Sequence, residues 1–231
     1  MLTLGRDGKM VDVTLLHELD DPLSAHAHAS VEELADRITY IDLTSIEPSE
    51  LDQTVQSLVE VRGVVFDLRG YPRGPVHDVL EHLIVEPDDW KGWMRVLLAR
   101  GPDGDLVEAE RFEWNQQSKE PRIGAPVVFL TNEQAISYSE SILGLVKFHG
   151  LGTIVGSNTA GSNGNVVRLS LPGGFRVTCT GMYVIGPDGG PLQGLGIEPD
   201  MQVLPTIEGL RAGRDEVLEH ALEWIVNQQS L

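Results

Sequence analysis

The sequence predicts an α/β domain with a mostly parallel sheet and one inserted antiparallel hairpin. Short apolar runs alternate with helix-patterned stretches from about residue 30 onward, as in strand–helix–strand units. The run at residues 64–68 is continuously apolar apart from Asp67, which is typical of a strand covered on both faces. Residues 94–99 and 107–114 flank a Pro-Asp-Gly turn, so this pair predicts the inserted hairpin.

Two segments precede that domain. Residues 2–16 alternate around the turn dipeptide at Asp7 and Gly8, and they predict a short hairpin that is too small to fold alone. Residues 17–29 are rich in acidic residues, alanine and histidine, and they predict a linker. His26 and His28 have no third ligand type close by, so the sequence predicts no metal site there.

The first helices and strands of the domain follow in order. Ser30 and Glu33 have the capping-box spacing and predict a short helix over residues 31–37, which the apolar strand 38–43 follows. Ser49 predicts the start of a second helix. The apolar residues of this helix recur on one face: Leu51, Val55, Leu58 and Val59.

The second half of the domain continues the alternation. A turn rich in glycine and proline leads from the strand 64–68 into a helix over about residues 75–84. After the inserted hairpin, residues 127–130 predict a strand and residues 141–148 predict a helix. The remaining predicted elements are strands at 153–156, 166–171 and 175–184 and an amphipathic helix at 214–226.

The composition limits the kinds of partner. The chain has 35 acidic and 17 basic residues, a net charge of -18 and a pI near 4.6. Such a surface repels phosphate groups, so nucleic acid and anionic membranes are not expected partners. No apolar run approaches the length of a membrane span, and the amino terminus lacks the apolar core of a secretion signal. Cys179, the only cysteine, lies in an apolar run and is expected to be a buried structural thiol.

Ser137 stands at a predicted turn between a strand and a helix. A hydroxyl there projects from the carboxyl edge of the sheet, where the free N–H groups of the first helical turn can stabilise an oxyanion. Ser137 is therefore a candidate nucleophile. It also precedes Glu140 by the spacing of a capping box, which is a purely structural role. The segment alone leaves both interpretations open.

Two turns are expected to open on the same edge of the sheet. One follows the strand 64–68 and is rich in glycine, and the other contains Ser137. The first turn could lend a main-chain N–H to an oxyanion formed at Ser137, and the N–H of Tyr138 could supply a second donor. The glycines could equally serve only to make the turn tight.

Seven ordered segments resemble the catalytic domain of the tail-specific, or C-terminal-processing, serine peptidases. They are residues 63–72, 127–132, 137–140, 153–156, 159–161, 171–174 and 194–200. The resemblance spans roughly residues 38–204. It implies a β-α spiral of the ClpP and crotonase type and hydrolysis of peptide bonds in polypeptide substrates, often near their carboxyl termini. The sequence indicates no cofactor.

The resemblance also implies roles for single residues and for segments. It makes Ser137 the nucleophile, Tyr138 one oxyanion donor and Gly74 the second. It makes residues 1–16 the remnant of a PDZ-like domain, residues 17–29 a linker and residues 30–231 the catalytic domain. Because the family mostly works outside the cytoplasm, the resemblance implies an extracytoplasmic location.

The general base is the point at which this chain departs from the Ser/Lys members of the family. Those members place a lysine after the segment 159–161, where this chain has Ser-Asn-Gly, and none of its four lysines matches that position. A serine hydroxyl is a poor nucleophile without a neighbouring base. The segment 160–164 is closer to the tricorn-like branch, which uses a Ser/His/Glu arrangement. A base other than lysine is therefore implied.

Several residues are candidates for that base and for the group that orients it. The histidines are His77 after the glycine-rich turn, His149 at the end of the helix that follows Ser137, and His26 or His28 in the linker. The orienting group could be Gln193 or Glu198, and Glu198 could equally be a turn residue beside Pro199.

The sequence supports two main functional hypotheses. The first is a serine peptidase that acts by acyl transfer through Ser137. The second is a catalytically weak or inactive peptide- or ligand-binding protein on the same fold, which the missing lysine favours. An acyl-CoA enzyme of the crotonase type would share the oxyanion hole, but the ordered peptidase motifs disfavour it.

Overall fold

A six-stranded sheet organises the protein, and five of its strands run parallel. The computed structural model describes residues 2–6, 9–13, 28–100, 102–103 and 106–228. The strands are β1 (Leu2–Arg6), β2 (Lys9–Val13), β3 (Val31–Glu33), β4 (Ile38–Asp42), β5 (Gly63–Asp67), β6 (Met94–Arg100), β7 (Leu106–Phe112), β8 (Val127–Thr131), β9 (Thr153–Gly156), β10 (Val166–Ser170), β11 (Arg176–Thr180), β12 (Tyr183–Val184) and β13 (Met201–Gln202). The main sheet has the order β13-β9-β8-β5-β4-β3, and only β3 runs antiparallel to its neighbour.

Helices cover both faces of this sheet. They are α1 (Pro48–Val55), α2 (Tyr138–His149), α3 (Ile207–Arg211) and α4 (Glu216–Gln228), with 3₁₀ turns at Ala35–Arg37, Leu58–Glu60 and His77–His82. Successive residues of a strand point to opposite faces. Phe66 and Phe129 stack at 5.2 Å between ring centroids on the face that packs against α1 and α2. Val65 and Val128 belong to the other face, which α4 covers. The predicted mixed α/β fold with a mainly parallel sheet is therefore confirmed, and the finer β-α spiral stays a prediction.

Both predicted hairpins have paired strands. β6 and β7 pair antiparallel, and β12 joins them in a separate three-stranded sheet. β1 and β2 also pair antiparallel, whereas the turn residues Asp7 and Gly8 and most of the expected linker, including His26, lie outside the described residues. None of the helices in the described part of the chain has the length and apolar character needed to cross a bilayer.

The helix predicted over residues 31–37 is wrong. Val31–Glu33 instead forms β3, which gains main-chain hydrogen bonds at the free edge of β4, and a single 3₁₀ turn follows. A seven-residue helix is too short to be stable by itself, and the positive φ angles of Asp36 and Arg37 would interrupt it.

The other helix predictions hold only in part. The second helix begins at Pro48, whose fixed φ suits a first helical turn, and not after a Ser49 cap. It ends at Val55, so Val59 is exposed instead of lying on the buried face. The predicted helix at 75–84 is only a 3₁₀ turn, His77–His82.

A two-stranded hairpin replaces part of the predicted strand at 175–184. Gly181 separates β11 from β12, and β10 pairs with β11 alone in the described structure. Directly opposed residues share a face, so Val167 and Cys179 lie beside Leu169 and Val177. All of these side chains are exposed. The expected burial of Cys179 is therefore wrong, because no second layer covers this hairpin among the described residues.

The turns after β5 and β8 open on the same edge of the sheet, as predicted. The two strands are parallel neighbours, so their carboxyl ends lie side by side. The Ser139 hydroxyl, at the start of α2, donates a hydrogen bond to the Gly70 carbonyl at 2.6 Å. This contact joins the glycine-rich turn to the segment that carries Ser137.

Candidate active site

Ser137 lies in a strained turn at the carboxyl edge of the sheet. β8 ends at Thr131, and a short loop leads to Ser137, which has φ 53° and ψ -101° immediately before α2. Such a backbone conformation costs a non-glycine residue about 1–3 kcal/mol and is found mainly at functional sites. The side chain is partly exposed and lines a cleft. A strand-to-helix turn of this kind presents the Ser137 side chain to the cleft.

Glu140 holds this turn in place. Its side chain is fully buried, and its carboxylate accepts four hydrogen bonds. Oε2 accepts from the N–H groups of Ser137 at 3.0 Å and Ser162 at 3.1 Å. Oε1 accepts from the Thr159 hydroxyl and the Gly161 N–H, both at 2.7 Å. The carboxylate therefore fastens a distant loop to the turn that carries Ser137.

The capping interpretation and the nucleophile interpretation are compatible. Both halves of the capping box are present: the Ser137 side chain faces the Glu140 N–H, and the Glu140 carboxylate accepts from the Ser137 N–H. No hydrogen bond joins the Ser137 hydroxyl to another side chain among the described residues. Glu140 thus acts on the main chain of the turn, and it leaves the Ser137 hydroxyl at the cleft wall.

The cleft beside Ser137 has a volume of about 490 Å³. Its wall is mostly apolar and aromatic, with Tyr71, Met94, Phe112, Trp114, Tyr138 and Met182 among its residues. Asn163 and Glu113 add polar groups. Clefts of this size and character commonly bind ligands. Met94 belongs to β6 and Phe112 to β7, so the inserted hairpin forms one wall of the cleft.

Gln193 supports the opposite wall. Its Nε2 donates to the carbonyls of Asn163 at 3.2 Å and Met182 at 3.0 Å, and its Oε1 accepts from the Val184 N–H at 3.2 Å. The side chain of Asn163 in turn donates to the Ser141 hydroxyl at 3.1 Å. Gln193 therefore links main-chain segments of the cleft wall, and it does not orient a histidine within the described structure.

The Tyr138 phenol oxygen contacts the segment that follows the glycine-rich turn. Oη accepts hydrogen bonds from the N–H groups of Val76 at 2.8 Å and His77 at 3.0 Å, and it lies 2.7 Å from Nδ1 of His77. Because a neutral imidazole nitrogen can accept, the network assigns the Tyr138 O–H as the donor to Nδ1. Burial raises the pKa of Tyr138, although the two main-chain hydrogen bonds oppose that shift. The hydroxyl therefore stays protonated at neutral pH.

Tyr138→Phe is expected to lower the free energy of unfolding by about 1–3 kcal/mol, because it leaves the N–H groups of Val76 and His77 without their acceptor. Urea unfolding followed by tryptophan fluorescence measures the change. The matched control is Tyr71→Phe, since Tyr71 is 54% exposed and its ring centroid lies 6.2 Å from that of Tyr138. Equal losses in the two variants would contradict the assigned network.

His77 contacts Tyr138, the residue that follows Ser137 in the sequence. Its Nδ1 faces Tyr138, and its Nε2 is 3.5 Å from Asp78 Oδ1. Burial lowers the pKa of His77, and the nearby acids Asp78 and Glu81 oppose this shift. The imidazole is therefore neutral at pH 7. It contacts Tyr138 and Trp114, and the structure describes no hydrogen bond between it and Ser137.

The structure describes one contact each for Gly74 and Glu198, and neither contact is with Ser137. Gly74 packs against Pro48 at the start of α1, where an added Cβ would come within 2.7 Å of the proline ring. Gly74 does not line the cleft. The Glu198 side chain is exposed, and its carbonyl accepts a hydrogen bond from Lys147 at 2.6 Å, near the end of α2. The oxyanion role of Gly74 and the orienting role of Glu198 stay predictions.

The other histidines with described contacts have partners elsewhere, and His82 and His220 contact the main-chain carbonyls of Pro121 and Glu216, both at 2.7 Å. His149 lies 2.8 Å from Asp88, and His28 lies 2.9 Å from Glu32. Among the described residues, no histidine, lysine or carboxylate side chain forms a hydrogen bond with the Ser137 hydroxyl. The sequence reasoning thus located the strand-to-helix turn at Ser137, but it missed the four hydrogen bonds of Glu140 and the wall contacts of Gln193. The capping-box spacing was the only local signal for Glu140.

Comparison with curated proteins gives relatives that are named as serine proteases. A probable CtpA-like serine protease of Staphylococcus aureus strain N315 is 26% identical over 166 residues, which cover 68% of this chain and 32% of that protein. A probable CtpA-like serine protease of Staphylococcus haemolyticus is 29% identical over 143 residues, which cover 62% of this chain and 27% of that protein. The chain therefore spans about a third of the length of these relatives.

Comparison with solved structures shows a shared fold. A candidate peptidase from Parabacteroides merdae superposes with a TM-score of 0.72 at 22% identity, covering 84% of this chain and 63% of that chain.

The family model for peptidase family S41 matches residues 37–203, which is most of the chain. This match covers nearly the same span as the seven segments that resemble the tail-specific serine peptidases, so that resemblance is confirmed. The chain belongs to peptidase family S41.

Proposed function

We propose that the chain is the catalytic domain of a serine peptidase in which Ser137 attacks the scissile carbonyl. One observation carries the proposal: a strained, partly exposed serine stands at the amino terminus of α2 and lines an apolar cleft. Family membership and the CtpA-like relatives support the same reaction class. The substrate is a polypeptide, and the apolar wall of the cleft favours apolar side chains beside the scissile bond.

The proposed chemistry is acyl transfer. The Ser137 hydroxyl loses its proton to a base and bonds to the carbonyl carbon. The C–N bond then breaks, the leaving amine takes up the proton, and water hydrolyses the resulting ester. Tyr138 is the first residue of α2, so its amide has no partner inside the helix and lies at the positive end of the helix dipole. We assign this N–H as an oxyanion donor.

The base is a group other than lysine in this proposal. Lys147 donates to the Glu198 carbonyl and lies 3.1 Å from Asp200, and Lys91 donates to Asn115. His77 acts as a positioning residue. Its contact with the Tyr138 hydroxyl holds Tyr138 in place, and the Tyr138 N–H donates a hydrogen bond to the oxyanion. The second oxyanion donor remains assigned to the glycine-rich turn after β5, with Gly74 as the candidate.

Labelling with a serine-directed fluorophosphonate tests the nucleophile. We expect stoichiometric labelling of the unaltered chain, and loss of labelling in Ser137→Ala. Ser162→Ala is the matched control, because the exposed Ser162 side chain lies on the loop that Glu140 fastens to the same turn. An unlabelled parent protein, or equal labelling after Ser137→Ala, would rule out Ser137 as the nucleophile.

A second candidate function is peptide binding without cleavage. The observation that favours it is the lack of a described histidine, lysine or carboxylate hydrogen-bonded to the Ser137 hydroxyl. This function predicts saturable binding of apolar peptides in the cleft with no cleavage products by mass spectrometry. Cleavage that disappears in Ser137→Ala would exclude it.

A further inference from the structure

A cluster of possible metal ligands lies at the end of α2 that is remote from Ser137. His149 is the last residue of this helix, and Asp88 and Asp89 lie in the loop before β6. Nε2 of His149 is 2.8 Å from Oδ1 of Asp88. One ligand atom from each of the three residues lies within 4.8 Å of the others. Ligand atoms of a tetrahedral ion are about 3.4 Å apart if each bond is about 2.1 Å, so side-chain movements of about 1 Å would complete the geometry.

Asp88 carries a buried oxygen that lacks a partner. The residue is 3% exposed, and its Oδ1 accepts from the Trp90 N–H at 2.9 Å in addition to facing His149. Its Oδ2 is buried and has no hydrogen-bond partner among the described residues. An unsatisfied buried carboxylate oxygen is costly, so native proteins normally supply a donor or a cation.

The neighbourhood contains a second such oxygen. Gln116 is also 3% exposed, and its side-chain Oε1 has no described partner. Its main-chain carbonyl accepts the Asp88 N–H at 2.9 Å, so the two residues are joined directly. Two buried acceptor oxygens, one from each of these joined segments, thus have no described donor, which favours a bound cation.

The charges around the cluster also favour a cation. The carboxyl end of α2 carries the negative end of the helix dipole, and the carboxylates of Asp88 and Asp89 add to it. The nearby lysines are engaged elsewhere, because Lys91 donates to Asn115 and Lys147 pairs with Asp200. His149 is the one basic side chain that the described contacts place on Asp88.

We propose that His149, Asp88 and Asp89 bind a divalent transition-metal ion of the Zn²⁺ type. Imidazole nitrogen and carboxylate oxygen are ordinary Zn²⁺ ligands, whereas an imidazole ligand disfavours Mg²⁺. Asp88 is buried, His149 is partly buried and Asp89 is exposed, so the ion enters from the surface and keeps water in its open positions. The site is separated from Ser137 by the twelve-residue helix α2, about 18 Å long. The bound ion would join the loop before β6 to α2, the helix that follows Ser137.

Titration of the EDTA-treated full chain with Zn²⁺ tests the site. We expect one saturable binding event by calorimetry. At free Zn²⁺ equal to one hundred times Kd, we expect the folding equilibrium constant to rise about 100-fold. Co²⁺ provides a second measurement, because Trp90 stacks on Phe148 at 5.1 Å beside His149 and its fluorescence should be quenched. Mg²⁺ should bind at least tenfold more weakly than Zn²⁺.

Variants of the ligands locate the ion. His149→Gln and Asp89→Asn should each weaken Zn²⁺ binding at least tenfold, and the exposed Asp89 can be changed without disturbing the core. His28→Gln is the matched control, because His28 faces a single acid, Glu32, at 2.9 Å. The proposal is overturned if the EDTA-treated chain shows no saturable Zn²⁺ binding, or if Asp89→Asn and His149→Gln bind Zn²⁺ as the unaltered chain does. Because the readout is binding, it does not depend on peptidase activity.

Discussion

Glu140→Gln is expected to destabilise the protein by about 3–6 kcal/mol. The Glu140 carboxylate is fully buried and accepts four hydrogen bonds, two at each oxygen. The amide of glutamine keeps one acceptor oxygen but places an NH₂ group against the donors at the other position. Two bonds to a charged group are then lost, and each is worth about 1.5–3 kcal/mol.

The same substitution is expected to reduce the reactivity of Ser137. The Ser137 N–H is one of the donors, so its strained backbone conformation loses an anchor. Urea unfolding measures stability, and the rate of fluorophosphonate labelling measures reactivity. Glu133→Gln is the control, because this glutamate is exposed and the described hydrogen bond to its carboxylate comes from the Ser157 hydroxyl at 3.2 Å. A Glu140→Gln protein with the unfolding midpoint of the Glu133→Gln protein would refute the anchoring role.

The central strands could be predicted because their buried residues are consecutive in the sequence. β5 and β8 are buried at every position, so a continuous apolar run was a sufficient signal. The segment Val31–Glu33 gave a capping-box spacing instead, yet it pairs with β4, because an edge position was available in the folded sheet. The spacing of residues within one segment does not show which other strand has an unpaired backbone edge.

In the candidate site, too, features set by neighbouring residues could be predicted, whereas contacts between distant residues could not. The turn that carries Ser137 follows from the order of a strand and a helix, both of which are local patterns. The partners of Glu140 at Thr159, Gly161 and Ser162 lie far along the chain, and nothing in their own spacing indicates a buried carboxylate. The burial of Cys179 was mispredicted because alternation predicts a strand but not whether a second layer covers it.

A buried ion network joins the turn after β5 to the last helix. The Arg69 guanidinium makes paired hydrogen bonds to Asp67, which is fully buried, and to Asp215, at distances of 2.6 to 3.1 Å. Tyr40 donates its hydroxyl to Asp67 Oδ2 at 2.8 Å. Asp215 also accepts from the Leu218 N–H at 3.1 Å, so it caps α4. Arg69 therefore holds a sheet edge, the glycine-rich turn and a covering helix together.

Arg69→Met is expected to destabilise the protein by about 3–5 kcal/mol at pH 7. Methionine keeps much of the aliphatic volume but removes the positive charge, which leaves Asp67 buried without its cation. Urea unfolding provides the measurement. Arg214→Met is the matched control, because the Arg214 side chain is 54% exposed where it pairs with Glu216 and Glu219. Its unfolding midpoint should match that of the unaltered chain.

The loss in Arg69→Met should also depend on pH in a defined direction. Burial alone would raise the pKa of Asp215, but the hydrogen bonds and charge of Arg69 outweigh burial and lower it. A carboxyl whose folded pKa is lowered stabilises the protein above its unfolded pKa of about 3.9, and this contribution disappears as the pH falls through the folded value. Without Arg69, burial raises the pKa of Asp215 instead. The deficit of Arg69→Met relative to the unaltered chain should therefore be largest near pH 7. It should shrink as the pH falls through the raised pKa of Asp215 in the variant and then through the lowered pKa in the unaltered chain. A deficit that is constant from about pH 7 to about pH 3.5 would show that Arg69 acts through packing alone.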